Sequence, residues 1–163
     1  MTVAVEAVNR VLAALESHGA KGQLVKLDSP IPTAAAAASA LGCEVGAIAN
    51  SLIFMADESP LLVVASGAHR VDTKLVAALI GVRKVRRATP EQVLSATGQE
   101  VGGCAPIGHP HPVQTVLDDT LAKFPVVWAG GGDHFTMFSS TLAELERMTG
   151  GKVASVAAAP ALS

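Results

Sequence analysis

The order of apolar and polar residues predicts a sheet with short helices between its strands. Two nearly continuous apolar runs, 51–56 and 61–66, are separated by the polar turn 57–60 and predict a hairpin of two buried strands. Five other stretches carry helical apolar spacing or capping residues, and a glycine follows each, as helix C-termini favour. These helical stretches cover residues 8–15, 33–41, 73–80, 89–98 and 141–148. Single helical turns are predicted at 44–49 and 118–124, and further strands at 23–27, 82–88, 113–117, 125–129, 134–139 and 152–156.

Together these elements predict one α/β domain at residues 1–157, with a mixed, largely antiparallel sheet flanked by helices. Residues 158–163, an alanine- and proline-containing tail, are expected to fray. No internal repeat or linker interrupts the pattern.

Composition narrows the class of protein. No apolar run approaches the roughly 20 residues of a membrane helix, and charges within residues 1–20 are unlike a signal peptide. The two cysteines, Cys43 and Cys104, lack a CxxC spacing, which favours reduced thiols and a cytoplasmic location. The net charge of −2 and the near absence of aromatic residues argue against a broad nucleic-acid surface. No membrane or DNA partner is therefore expected, and any nucleic-acid contact should be local.

The stretch Gly102–His109 packs three glycines and a proline into eight residues. Glycine permits positive φ and close backbone approach, and proline fixes φ. The stretch is interpreted either as a sharp connection between strands or as a backbone cradle for an oxygen-rich ligand. The residues alone favour the connection. Cys104 has no cysteine-protease signature around it, so packing is favoured over nucleophilic attack.

Two other clusters carry candidate chemistry. The basic cluster, interpreted as the solvated face of an edge strand or as a phosphate contact, comprises Arg83, Lys84, Arg86 and Arg87. His109 and His111, with a third ligand from Asp118, Asp119 or His134, form only a weak metal pattern, so no metal is expected.

Three further positions have two interpretations each. Asp72 is a helix cap in the simplest interpretation and a pocket residue in the other. Asn50 lies between a helical turn and an apolar strand, where it either turns the backbone or projects into the cleft of the glycine loop. The run Gly130–Gly132 is favoured as a hairpin turn over a pocket lining.

Several of these pieces occur in the order typical of one family. They are Thr33 with its alanine helix and Leu41-Gly42, Asn50-Ser51-Leu52, Ser66-Gly67 with Val71-Asp72 and Lys74-Leu75, the block from Thr97 to Gly108, and Ala129-Gly130-Gly131. On these residues the chain, from about Thr33 to Val156, resembles the YbaK/ProX family of aminoacyl-tRNA deacylases. That family is related to the editing domain inserted in bacterial prolyl-tRNA synthetases.

The resemblance implies hydrolysis of the ester that joins a wrong amino acid to the tRNA 3′ end, without a metal or organic cofactor. The favoured substrates are Cys- and Ala-tRNA(Pro). The family's Gly-x-x-x-Pro motif matches Gly102 and Pro106, and in relatives this loop presents backbone N–H groups to the aminoacyl carbonyl. Water activation in relatives depends on the substrate, through a tRNA hydroxyl or the amino acid's thiol.

The same resemblance implies the site residues and partners. Its catalytic loop comprises Gly102, Gly103, Cys104 and Pro106. The implied substrate-binding residues are Asn50, Ser51, His69, Asp72, Gly108, His109, Gly130 and Gly131. The implied partner is the aminoacylated 3′ acceptor end of tRNA, with an aminoacyl-tRNA synthetase as a second candidate.

Asn50 departs from the family pattern, because relatives typically carry lysine there. Asparagine can hydrogen-bond but supplies no point charge. A second interpretation therefore stays open: a non-catalytic module of the same fold that binds an aminoacyl end or a small ligand. Lys74, His69 and Arg70 are the neighbouring candidates for replacing the missing charge.

Overall fold

The computed structural model describes residues 2–157 of the chain. Its helices are α1 (Val3–Ser17), α2 (Ala34–Leu41), α3 (Thr73–Ile80), α4 (Pro90–Thr97) and α5 (Leu142–Thr149), with short 3-10 segments at Val45–Ala47 and Asp119–Lys123. The strands are β1 (Leu24–Lys26), β2 (Ile48–Ala56), β3 (Ser59–Ser66), β4 (Val85–Arg87), β5 (Gln114–Asp118), β6 (Val127–Gly130), β7 (Thr136–Ser140) and β8 (Lys152–Ala154).

The strands form one sheet in the order β1-β7-β6-β2-β3-β5-β8, and β4 also pairs with β2. The pairs β1–β7, β2–β3, β2–β4 and β6–β7 are antiparallel. The pairs β2–β6, β3–β5 and β5–β8 are parallel. The predicted α/β class, with a mixed sheet between helices, is confirmed.

The central hairpin β2–β3 is apolar on both faces because helices cover both faces of the sheet. Leu62 and Val64 pack into one core with side chains of α1, α4 and α5. Leu61 and Val63 pack into a second core with Val76 of α3. Two cores on opposite faces explain why the apolar runs of the sequence are nearly continuous.

Helix ends follow local chemistry. The side chain of Thr33 accepts a hydrogen bond from the Ala36 N–H group at the start of α2. Thr89 and Gln92 form a reciprocal capping box at the start of α4. The N-terminal ends of both helices contribute to the lining of the cleft described below.

Most predicted boundaries lie within a few residues of the observed ones, with three differences. Helix α1 begins at Val3, earlier than the predicted 8–15. His134 and Phe135 belong to a turn, closed by the Phe135 N–H group donating to Asp133 Oδ1, and β7 begins only at Thr136. The basic strand shortens to Val85–Arg87. The expected fraying of 158–163 lies outside the described residues.

One edge of β2 is open in its middle. Pairing with β6 ends at Ala49, and pairing with β4 begins at Phe54, whereas β3 pairs with β2 along the other edge. The Ala88 N–H group donates to the Ile53 carbonyl at the end of this gap. Residues 50–52 therefore have no partner strand on that edge within the part of the chain that the structure describes.

Candidate functional site

The open edge of β2 is the floor of a cleft of about 300 Å³. Its walls come from the N-terminal end of α2, the start of α4, the glycine loop and the end of β6. The described residues that line it include Thr33, Ala37, Asn50, Ser51, Ile53, Arg87, Ala88, Val93, Gly102, Cys104, Gly130, Asp133 and Met137. Apolar walls with a few polar groups are typical of a small-molecule site.

Two residues of the glycine loop line the cleft and have N–H groups without a partner among the described residues. The Gly103 N–H group donates to the Glu100 carbonyl, and the Ala105 N–H group donates to Gln99 Oε1 at 2.6 Å. Within residues 2–157, the N–H groups of Gly102 and Cys104 have no such partner, and both residues line the cleft. Gly102 has a φ of 88°, a conformation that residues with a side chain rarely adopt.

The glycine loop packs directly against the second glycine turn. A side chain at Gly130 would collide with the Cys104 carbonyl. A Cβ atom at Gly103 would lie 2.9 Å from the Asp133 backbone. Because the backbones of the two loops are in direct contact at these glycines, each loop restrains the position of the other.

Gln99 holds the glycine loop from inside. Its side chain is completely buried, accepts from the Ala105 N–H group and donates through Nε2 to the Ile107 carbonyl at 3.1 Å. His109 supports the same segment, because its Nε2 donates to the Ala105 carbonyl at 2.9 Å. Burial lowers the pKa of His109, and the hydrogen bond to Ala105 opposes this effect. A neutral imidazole is therefore favoured here.

Ser51 is at the centre of the open edge. Alternate residues of a strand direct their peptide groups to the same edge, so Ser51 shares the orientation of Ile53, whose carbonyl is bound by Ala88. The hydroxyl of Ser51 is buried and has no hydrogen-bond partner among the described residues. Asn50, next to it, is exposed at the mouth of the cleft.

Cys104 contributes backbone rather than thiolate chemistry. Burial raises the pKa of its thiol to about 11, although a side-chain hydrogen bond with Thr97 acts to lower it. The thiol donates to the Glu100 carbonyl at 3.4 Å. The thiol therefore stays protonated near neutral pH, as expected of a packing residue.

The sequence-predicted site residues do not all lie at the cleft. Asn50, Ser51, Gly102, Cys104 and Gly130 line the cleft. The remaining loop residues lie behind it, and three of them, Pro106, Gly108 and His109, face a separate groove of about 480 Å³ beside α1. Gly103 and Gly131 lie within the two packed loops and are not among the lining residues.

His69 and Asp72 do not line the cleft. Asp72 Oδ1 accepts hydrogen bonds from the N–H groups of Lys74 and Leu75, so it is the cap of α3. His69 Nδ1 donates to Asp118 Oδ2 at 2.8 Å, on the far side of β3.

Asp118 is the centre of that second polar network. Its carboxylate is 1% exposed and accepts from the Ser66 N–H group and from the hydroxyl and N–H groups of Thr120. Burial acts to raise the pKa of Asp118, but hydrogen bonds from Thr120, Ser66 and His69 outweigh it and hold the pKa below its usual value. The network joins β3 to β5, and its side chains of His69, Asp118 and Thr120 are not among the described residues that line the cleft.

The tertiary structure brings to the cleft or its rim several residues that the sequence did not assign to it. Arg87 and Asp133 are the charged side chains among the described lining residues. His134 lies beside the loop: its ring would be 3.2 Å from a Cβ atom at Gly102, and its Nε2 is 3.8 Å from Glu100 Oε2. In the sequence, Arg87 belonged to the basic cluster and His134 to the weak metal pattern, whereas Asp133 carried no signal beyond its position after a glycine turn.

In residues 2–157, no three His, Cys, Asp or Glu side chains are grouped to hold a metal ion. His109, the first residue of the weak metal pattern, instead binds Ala105. The helices of this described part include none with the length and apolarity needed to cross a membrane.

Comparison with known proteins gives a consistent result. The model of the aminoacyl-tRNA editing domain family matches residues 28–148. A crystal structure of a candidate trans-editing enzyme for prolyl-tRNA synthetase superposes with a TM-score of 0.86 at 38% identity, covering 94% of this chain and 98% of that one.

Curated relatives are more distant. The uncharacterised protein YwhH of Bacillus subtilis is 30% identical over 82% of this chain and 85% of its own length. A candidate Cys-tRNA(Pro)/Cys-tRNA(Cys) deacylase, EbsC of Enterococcus faecalis, is 25% identical over 76% of each chain. A proline–tRNA ligase of Lactiplantibacillus plantarum is 26% identical over 74% of this chain, which spans only 22% of the ligase.

Proposed function

Because the chain belongs to the aminoacyl-tRNA editing domain family, we propose that it hydrolyses the ester of a mischarged aminoacyl-tRNA. Cys- and Ala-tRNA(Pro) are the favoured substrates, and a prolyl-tRNA synthetase is the favoured partner enzyme. The observation that carries this proposal is that Gly102 and Cys104, whose N–H groups have no hydrogen-bond partner within residues 2–157, both line a cleft of about 300 Å³.

Ester hydrolysis needs stabilisation of negative charge on the carbonyl oxygen. Water adds to the carbonyl carbon, the oxygen becomes an oxyanion, and the ester C–O bond then breaks. The leaving ribose oxygen takes a proton, and the amino acid departs as a carboxylate. Donors fixed before the reaction lower this barrier, and one such donor is worth on the order of 10²–10³ in rate. The N–H groups of Gly102 and Cys104 fill this role in our proposal.

The size of the cleft favours a small amino acid. Ala37, Ile48 and Met137 line its apolar part. A volume near 300 Å³ is at the lower end for ligand sites and must hold both the amino acid and part of the terminal nucleoside. One methylene changes the binding free energy by only about 1–3 kcal/mol. Larger amino-acid side chains are therefore excluded only if the residues that line the cleft keep their positions.

The test is deacylation of mischarged tRNAs, with alanyl- and cysteinyl-tRNA(Pro) first and seryl- and threonyl-tRNAs beside them. Wild type is compared with Gly102→Ala, for which we expect a loss on the order of 10²-fold, because a Cβ atom would crowd the His134 ring at 3.2 Å and shift a loop that lines the cleft. Gly81→Ala is the matched control. Gly81 also has positive φ, at 75°, but has open space around it at the end of α3.

Both variants bear a similar backbone strain of about 1–2 kcal/mol, so only loss confined to Gly102→Ala implicates the loop. Equal activity of wild type and Gly102→Ala would remove the loop from the mechanism. No hydrolysis of any substrate by wild type would contradict the proposal.

Asn50 favours a second candidate, a binding module without catalysis. Its amide is at the mouth of the cleft, where it offers hydrogen bonds but no charge. This candidate is supported if wild type binds aminoacyl-tRNA without hydrolysing it. Asn50→Lys then separates the two functions, because hydrolysis gained only in that variant identifies a natural binder.

A further inference from the structure

Arg87 is the cationic side chain at the cleft. It is in β4, opposite Phe54 of β2, and lines the cleft together with the next residue, Ala88. Its guanidinium carbon lies over the Phe54 ring, 5.5 Å from the centroid. The ring is buried, with 2% of the residue exposed. A cation over a fixed aromatic face is held in place more firmly than a free surface arginine.

No acidic side chain among the described residues neutralises Arg87. The ion pairs of residues 2–157 involve His69, His134 and Arg147, not Arg87. Asp133, the acidic residue among the described residues that line the cleft, forms no ion pair with Arg87, and its Oδ1 accepts the Phe135 N–H group. The guanidinium therefore keeps its N–H donors available for an anion from outside the chain.

Arg87 is positioned at one end of the open edge. Asn50, Leu52 and Phe54 are alternate residues of β2 and share a face, and Arg87 is paired with Phe54. Asn50 is four residues from Phe54, a separation of about 13 Å along the strand. The cleft thus has an amide near one end of its floor and a guanidinium near the other.

We propose that Arg87 binds a phosphodiester of the RNA 3′ end whose terminal ester lies at the glycine loop. This inference rests on the proposed function and adds the residue that supplies the charge for RNA binding. A guanidinium can donate two parallel hydrogen bonds to one phosphate, which suits a planar, preoriented group. Of the sequence-based candidates for a charge at the cleft, Lys74, His69 and Arg70 do not line it, whereas Arg87 of the basic cluster does.

The neighbouring cations provide controls. Arg83 is exposed in the same basic cluster but does not line the cleft. Arg86 is also exposed, and its Nη1 donates to Gln92 Oε1 at 3.4 Å, within the capping box of α4. Arg83→Gln therefore removes the same charge from the same segment without touching the cleft or the helix cap.

The experiment measures binding of an unacylated RNA hairpin ending in single-stranded CCA-3′. Fluorescence anisotropy gives Kd between about 50 and 200 mM salt for wild type, Arg87→Gln, Arg87→Lys and Arg83→Gln. The slope of log K against log salt is negative, and one lost phosphate contact on a single strand decreases its magnitude by about 0.7. We expect that decrease in Arg87→Gln, with weaker binding, and a wild-type slope in Arg87→Lys and Arg83→Gln.

Thermal unfolding of each variant checks that it is folded. Arg87→Met, which keeps an apolar stem against Phe54, replaces Arg87→Gln if the latter unfolds. An unchanged slope in Arg87→Gln, or an equal decrease in Arg83→Gln, overturns the inference. Deacylation by wild type in the same preparation then shows that the proposed function survives. A wild type that neither binds RNA nor deacylates overturns both.

Discussion

At the residue scale, Ser51 has the least explained side chain of the cleft. Its hydroxyl is buried and unpaired among the described residues, in the strand segment that has an open edge. An unpaired buried polar group costs about 1–3 kcal/mol, and such groups require an explanation. The cleft position suggests one, because a polar substrate group reaching the open edge would supply the missing partner after a rotation about χ1.

Ser51→Ala tests this explanation. Removing the unpaired hydroxyl should leave the free energy of unfolding unchanged or raise it by about 1 kcal/mol. Deacylation should fall about tenfold in kcat/KM, since roughly 1.4 kcal/mol corresponds to one substrate hydrogen bond. Urea unfolding and single-turnover kinetics measure the two effects.

The matched control is Ser139→Ala. Ser139 Oγ accepts the Gln23 N–H group at 2.8 Å, away from the cleft, so this variant should lose about 1 kcal/mol of stability and keep its activity. If Ser51→Ala instead behaves like the control, Ser51 has only a structural role.

At the element scale, the glycine loop is a rigid unit because its interior groups are paired. Gln99 binds an N–H group and a carbonyl of the loop at once, and His109 binds a second carbonyl. The sequence marked this stretch through its glycines and Pro106. It did not mark Gln99, because a polar residue beside glycine is ordinary in a loop, and only the folded loop turns residues 105 and 107 back onto it.

Gln99→Met should loosen the loop. The variant keeps the side-chain length but leaves the Ala105 N–H group and the Ile107 carbonyl buried without partners. We expect a loss of about 2–4 kcal/mol in unfolding free energy and a decrease on the order of 10²-fold in kcat. Chemical denaturation and deacylation assays measure these two quantities.

Gln114→Met serves as the control, because Gln114 is exposed at the start of β5 and should tolerate the same change. Full activity in a destabilised Gln99→Met would show that the loop reaches its active geometry without this brace.

At the scale of the whole molecule, α1 lies outside the family-matched range 28–148 and yet supports the site. Ala7 and Val11 are completely buried. The Val11 backbone packs against Gly108, and the Ala7 backbone packs against Gly132, so α1 contacts both glycine loops from behind. The shape of the cleft therefore depends on a helix that contributes no side chain to its lining.

Ala7→Leu tests whether the shape of the cleft depends on α1. Extra volume between α1 and the second glycine turn should cost about 1–3 kcal/mol of stability and shift the loop that packs on that turn. We expect kcat to fall more than tenfold while the substrate KM changes less. Ala13→Leu, on the exposed side of the same helix, is the control and should leave kcat unchanged. Retained kcat in Ala7→Leu would show that α1 is only a stabilising cover.

The sequence by itself determined the features that depend on residues close together in the chain, such as helix ends and buried strands. Thr33, Thr89 and the glycines after each helix specify helix ends through hydrogen bonds a few residues apart. Continuous apolar runs identified β2 and β3, since only strands covered on both faces tolerate them. The order of motifs identified the family, because the glycine loop and the residues of β2 stand at characteristic places along the chain.

Only the tertiary structure decided which of these residues meet. Arg87 reaches the cleft because β4 pairs with the end of β2. The strand edge at Ser51 is unpaired because the pairing of β2 with β6 ends at Ala49. His69 follows β3 in the chain, and β3 pairs with β5. Its ring therefore contacts Asp118 of β5 instead of the cleft. These contacts join residues far apart in the chain. Strand pairing and packing determine them, and the order of apolar and polar residues within each element does not predict them.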